Sequence, residues 1–178
     1  MKTLYLVRHA KSSWKSLELA DAERPLNKRG KRDAPFMAKL LRTMGVKLDV
    51  LMASPAARAV TTATIFAEKI KYPEKKILLK NELYEGDDEA LVRMIQETDD
   101  SFQHVMLVGH NPALTTVVNT LCDAEIENIP TCGVVCVEFD ITTWREVNER
   151  HGKLIFFEYP KLYFTNNEGR VKRSAEQP

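Results

Sequence analysis

The chain has 178 residues, enough for one compact domain with a real core or for such a domain plus a tail. Hydrophobic residues make up 44%, and 26 Lys and Arg stand against 25 Asp and Glu, a formal net charge of +1. That balance excludes broad attraction to nucleic acid or to an anionic membrane, so any positive field has to be local.

The opening run, Met1 to Val7, ends at Arg8-His9. It is too short an apolar stretch for a signal peptide, and Thr3 to Val7 has the residues of a buried strand. A polar loop follows from Lys11 to about Arg24. Asn27 can then cap a helix carrying Phe36, Met37, Leu40, Leu41 and Met44 at helical spacing, closed by Gly45. Pro35 lies inside it, either as a kink or as the first residue of a second half. A strand is expected over Asp49 to Ala53. Ser54-Pro55 then has the form of a cap and first-turn proline for a helix reaching about Lys71. Ile77 to Leu79 suits a further strand, and Asp87 and Asp88 open a helix with Leu91, Val92 and Ile95 on its apolar side. The strand Val105 to Val108 runs into Gly109-His110-Asn111-Pro112, a second cap-and-proline pattern, before a helix to about Cys122. Two more strands, Gly133 to Phe139 and Leu154 to Glu158, are expected as a hairpin added to the sheet.

Alternating strands and helices predict an α/β fold: a three-layer α/β/α sandwich around a mostly parallel central sheet. Residues 1–165 are expected to form one domain, and residues 166–178 a polar C-terminal tail. No stretch approaches the roughly 20 apolar residues of a membrane span. Three cysteines, Cys122, Cys132 and Cys136, sit in apolar surroundings, which fits a reduced, cytoplasmic protein. Cys132 and Cys136 alternate with Val134 and are expected as buried thiols on one face, without enough neighbouring ligands for a metal.

Three short segments follow predicted strands: Arg8-His9-Ala10, Ser54-Pro55-Ala56-Ala57-Arg58-Ala59, and Gly109-His110-Asn111-Pro112. The carboxyl ends of strands in an open α/β sheet border the ligand crevice, so segments distant in sequence can converge there. Together they supply two histidines, two arginines and no carboxylate. That set suits a dianionic phosphoryl group better than a metal cation, because arginine repels cations and matches phosphate oxygens bidentately. A neutral imidazole at His9 can attack phosphorus in line and carry the phosphoryl group. Arg8, Arg58 and a protonated His110 would stabilise the charge on the equatorial oxygens.

These segments resemble the histidine phosphatase superfamily, whose signature is Arg-His-Gly or Arg-His-Ala after the first strand. The likeness extends through Arg8-His9-Ala10-Lys11-Ser12-Ser13-Trp14, Arg24-Pro25-Leu26-Asn27-Lys28-Arg29-Gly30 and Asp33-Ala34-Pro35 to the Arg58 and His110 segments. It is closest to the SixA-like phosphohistidine phosphatases and covers residues 3 to about 160. The resemblance implies a phosphoglycerate mutase-like fold, His9 as phosphate acceptor, and Arg8, Arg58 and His110 as the rest of the phosphate pocket. It implies no metal and no organic cofactor.

Further assignments are weaker. Glu82 stands where mutase-type relatives carry an acidic residue and is the first candidate for a proton donor, with Glu85, Asp87 and Asp88 as neighbours. Lys11, Ser12 and Asn111 are candidate substrate-binding residues, and Arg29 a further rim candidate. Lys28, Arg29, Lys31 and Arg32 form a basic cluster, either the wet face of a helix or a dock for an acidic partner. The expected partner is a phosphorylated protein carrying phosphohistidine, or a small phosphate ester, and neither nucleic acid nor membrane. Two other readings stay open: a general small-molecule phosphomonoesterase of the same superfamily, and a non-catalytic phospho-ligand-binding regulatory domain.

Overall fold

A period of two along each central strand decides the architecture. Tyr5 and Val7 of β1 (Lys2–Arg8) join one buried cluster, while Leu4 and Leu6 join another. The same split separates Leu51 and Ala53 from Val50 and Met52 in β2 (Val50–Ala53). It separates Met106 and Val108 from Val105 and Leu107 in β4 (His104–Gly109). A sheet apolar on both faces must be covered on both, and helices do so. The structure, a computed structural model, describes residues 1–14 and 18–164. The expected polar tail, residues 166–178, lies outside them.

Six strands form one sheet in the order β3-β2-β4-β1-β5-β6. Here β3 is Leu78–Leu79, β5 Val134–Phe139 and β6 Lys153–Glu158. The pairs β1–β4, β2–β4 and β2–β3 are parallel; β1–β5 and β5–β6 are antiparallel, the hairpin expected from the sequence. Helices α1 (Lys28–Thr43) and α2 (Ala57–Ile70) bury Met37, Leu41, Ala63 and Phe66 against one face. Helices α4 (Asp88–Gln96) and α5 (Ala113–Cys122) bury Leu91, Ile95, Val117 and Leu121 against the other. This is the three-layer α/β/α arrangement expected from the alternating elements. No helix among the described residues is long and apolar enough to cross a membrane.

Local differences from the sequence reading have identifiable causes. Helix α1 runs unbroken through Pro35, so no second half begins there. A mid-helix proline costs about 3 kcal/mol, and here the buried stripe Ala34, Met37, Ala38 and Leu41 offsets it. Asn27 does cap this helix, accepting from the Gly30 N–H at 2.9 Å. Gly45, at φ +77, ends it with the left-handed turn that glycine adopts without strain. The Asp87 cap of α4 is also present, its carboxylate accepting from the Ala90 N–H. Ser54 and Asn111, by contrast, cap nothing. Helix α2 starts at Ala57 and α5 at Ala113, each without a side-chain cap; the Ser54 hydroxyl is engaged by His110, and Asn111 lines the cavity described next. A short helical turn, α3 (Glu82–Glu85), follows β3 and has no apolar periodicity long enough to announce it.

Candidate active site

The register of β1 and β4 brings the two histidines together. Arg8 pairs with Gly109 across parallel strands, so the residues after them, His9 and His110, leave the sheet side by side. The His9 N–H donates to the Gly109 carbonyl at 3.0 Å, and the two imidazole centroids are 4.9 Å apart. Ser54, at the end of β2, hydrogen-bonds to the Val108 carbonyl and reaches the same place. The three sequence segments therefore do converge at the carboxyl ends of adjacent strands, around an open cavity of about 530 Å³.

His9 is held in one tautomer. Its Nδ1 lies 2.7 Å from the Ala10 carbonyl, and a carbonyl only accepts, so Nδ1 carries the hydrogen and Nε2 carries a lone pair. Burial is the main cause that pushes the imidazole pKa down to about 3, with His110, Arg58 and Arg8 adding repulsion to the charged form. The ring is neutral at pH 7. Ala10 is itself buried, and its N–H donates to Thr62 of α2, which anchors the turn behind the ring. Gly30 sits against that turn so closely that a Cβ would lie 2.3 Å from the Lys11 carbonyl oxygen.

His110 lies with Nε2 2.8 Å from the hydroxyl of Ser54, which is completely buried and also accepts from the Ala56 N–H. Burial first, and then Arg58, lower its pKa to about 4, so the ring is uncharged while the cavity holds no anion.

The arginines are fixed differently. Arg8 donates through Nη1 to the Ile129 carbonyl at 2.7 Å and to Asn128 Oδ1, while its buried Nε has no partner. A buried, unpaired guanidinium N–H beside a cavity is a donor waiting for an acceptor. Burial lowers the Arg8 pKa from its ordinary value. Arg58, on the first turn of α2 and 6% exposed, donates to Asp21 twice: Nη1 to the carbonyl at 2.6 Å and Nη2 to the carboxylate at 2.8 Å. The Asp21 carboxylate also accepts from Arg24 at 2.7 Å and from the Tyr84 hydroxyl at 3.1 Å. Its hydrogen bond to Arg58, with Arg24 beside it, holds its pKa down at about 2.

Lys11, Ser12 and Asn111 line the cavity. Ser12 accepts from Arg24, and the Asn111 amide donates to Asn128 Oδ1 and the Ile129 carbonyl. Glu82 does not reach the cavity; it is exposed at the start of α3, and Glu85, at the other end of that turn, lines it instead. Sequence reasoning missed Asp21, Tyr84 and Thr131 as lining residues. Asp21, three residues before Arg24, was the one with a readable signal, a carboxylate at ion-pairing distance in a loop otherwise assigned to solvent. Among the described residues, no group of three or more His, Cys, Asp or Glu is placed to hold a metal ion.

Comparison with known proteins gives the family and the fold. The family model of the histidine phosphatase superfamily (branch 1) matches residues 4–100. An uncharacterized chloroplastic protein of Arabidopsis thaliana, At3g52155, is 27% identical over 158 residues, covering 82% of this chain and 70% of its own. The protein histidine phosphatase SixA complexed with tungstate shares the fold at a TM-score of 0.76 and 22% identity, over 88% of this chain and 96% of that one. A structure from Agrobacterium tumefaciens, described as a phosphohistidine phosphatase SixA, gives 0.77 and 25% identity over 89% and 98%.

Proposed function

Because the chain belongs to the histidine phosphatase superfamily, branch 1, we propose that it hydrolyses phosphohistidine on a protein through a covalent phosphohistidine at His9. The observation that carries this reading is the His9 Nδ1–H bond to the Ala10 carbonyl, which leaves a neutral ring with its Nε2 lone pair available for attack. Support for the substrate class comes from the likeness to SixA proteins and from a cavity open to solvent.

In the first step, Nε2 attacks phosphorus, the bond from phosphorus to the substrate imidazole breaks, and the leaving nitrogen takes up a proton from solvent. In the second, water attacks the phosphoenzyme and gives up a proton to solvent, the new P–N bond breaks, and inorganic phosphate departs from neutral His9. The unpaired Arg8 Nε–H and the three Arg58 N–H groups not held by Asp21 are the donors for the equatorial oxygens. A bound dianion reverses the balance at His110, whose ring then gains a proton and becomes a further donor. The Ser54 hydroxyl keeps that ring facing the cavity.

A second reading, a general phosphomonoesterase, is favoured by one observation: Glu85 lines the cavity, where a carboxylic acid could protonate an alkoxide leaving group. An imidazole leaving group needs such an acid less. The proposed location is the cytoplasm, in keeping with three free thiols, of which Cys132 and Cys136 are buried.

Hydrolysis of a phosphohistidine-bearing protein beside an aryl phosphate ester, with EDTA present, separates these readings. Turnover of the phosphohistidine protein that disappears in His9→Ala supports the proposal. Turnover of the ester alone moves the assignment to the phosphomonoesterase, and no turnover of either by folded protein leaves a binding domain.

A further inference from the structure

Beside the phosphate cavity lies a second, smaller cleft of about 170 Å³, walled by Arg29, Arg32, Lys161, Asp33, Thr131 and Phe164 among others. Thr131 lines both spaces, and Arg29 Nη2 donates to the Thr131 hydroxyl at 3.0 Å, so a ligand leaving the phosphate site meets this cleft next. We propose that this cleft and the adjoining basic face of α1 dock an acidic polypeptide segment flanking the phosphorylated side chain of the substrate protein. The inference rests on the phosphoprotein reading above and specifies the partner.

Charge carries the argument. Lys28, Arg29, Lys31 and Arg32 fall within the first five residues of α1, whose first turn holds no acidic residue. Helices ordinarily place carboxylates there, because the N-terminal end already bears the positive pole of the backbone dipole. All four cations are exposed, as is Lys161 across the cleft. Among the described residues one carboxylate answers them: Asp33, almost fully buried, takes Arg32 at 2.7 Å and Arg29 at 3.8 Å. The whole chain carries a net charge of only +1, so this patch alone exceeds the excess of the molecule. Local placements that oppose stability are expected where function requires them.

The geometry selects carboxylates on a polypeptide. The Arg32 guanidinium is stacked 4.2 Å from the Phe164 ring centre while its Nε and Nη2 are held by Asp33, which fixes its plane and leaves the Nη1 edge for an incoming carboxylate. On the wall of the phosphate cavity itself, Trp14 is 70% exposed beneath the Arg24 guanidinium at 3.3 Å, an aromatic surface of the kind that anchors protein partners. An extended acidic chain can span both features, whereas a small phosphate ester fills only the first cavity.

The test uses a variant that spares the cavity. Lys28, Lys31 and Lys161 are exposed and make no hydrogen bond or ion pair among the described residues, so K28E/K31E/K161E reverses the patch and leaves Arg29, Arg32 and Asp33 in place. Wild type and variant are compared on two phosphohistidine peptides of equal length, one with acidic and one with lysine-rich flanks, on p-nitrophenyl phosphate, and on an alkane bisphosphate. The expected result is kcat/KM about tenfold higher for the acidic peptide, lost in the variant and at high salt, with p-nitrophenyl phosphate unchanged. Equal rates for the two peptides, a preference that survives in the variant, or equal loss on p-nitrophenyl phosphate overturns the proposal. So does sensitivity of the bisphosphate without sensitivity of the acidic peptide, which would assign the cleft to a small molecule. If neither phosphohistidine peptide is turned over, the catalytic reading fails and docking is judged separately, by fluorescence anisotropy of the labelled, unphosphorylated acidic peptide. Binding that the variant loses then upholds the docking face, and absence of binding to wild type overturns it.

Discussion

Asp21 holds Arg58 by two hydrogen bonds, its carbonyl accepting from Nη1 at 2.6 Å and its carboxylate from Nη2 at 2.8 Å. The guanidinium is thereby fixed with its remaining donors free for an anion, and Arg24 and Tyr84 fix the carboxylate in turn. We expect Asp21→Ala to lower kcat/KM about tenfold, the worth of one hydrogen bond to a charged group. Asp21→Asn, which keeps an oxygen for Arg58, should recover most of that loss. Steady-state kinetics on an aryl phosphate checks both, and an Asn variant no better than the Ala variant would rule out the positioning role.

Acid should weaken the empty protein through its two histidines. Both have folded-state pKa values lowered from 6.5, to about 3 for His9 and about 4 for His110. Below pH 6.5 the unfolded chain binds protons that the folded site does not, so stability is intact above that pH and falls as pH drops toward 4. Denaturant titrations across this range should show a loss that is shallower in His9→Gln and His110→Gln. Saturating phosphate should also flatten it, because a bound dianion favours the charged His110 ring. An unchanged slope in both variants would contradict these assignments.

Removal of the Ser54 hydroxyl should affect both folding and catalysis. The group is buried between His110 Nε2 and the Ala56 N–H, and loss of a buried partner costs about 1–3 kcal/mol. Ser54→Ala is expected to reduce kcat with KM little changed, since the ring it frees acts in the transition state. A change confined to thermal stability would make Ser54 purely structural.

Gly30→Ala tests the packing behind the nucleophile. Alanine would add about 1 kcal/mol of helix propensity, yet its Cβ would meet the Lys11 carbonyl oxygen at 2.3 Å, a backbone atom that cannot swing away. Net destabilisation of about 1–3 kcal/mol is expected, with reduced activity because the displaced segment follows His9 and Ala10. Chemical denaturation measures it; a stabilised variant would show that the loop yields freely.

Much of this was legible in the sequence, because the sheet is written in runs of apolar residues and its site in the residues just past them. Arg8, His9, Arg58 and His110 were visible as short segments at strand ends, and parallel pairing of β1 with β4 forces the two histidines together. What stayed hidden depends on contacts between distant parts of the chain. Asp21 is an ordinary loop carboxylate until α2 brings Arg58 to it, and Ser54 looks like a helix cap until His110 claims its hydroxyl. Which of Glu82 and Glu85 borders the cavity depends on how the α3 turn is set against it, which no local pattern records. Glu85→Gln should accordingly slow an alkyl phosphate ester more than a phosphoramidate, and Glu82→Gln should affect neither; the opposite ranking would restore Glu82 as the acid.

The central claim is that His9 carries the phosphoryl group, and rapid acid-free quenching of the protein with a radiolabelled phosphohistidine substrate tests it directly. The expected product is a label on His9 that survives alkali, is released by acid, and is missing from His9→Ala but retained in Glu85→Gln. Full turnover without any label on His9, or an equally labelled His9→Ala protein, would contradict it.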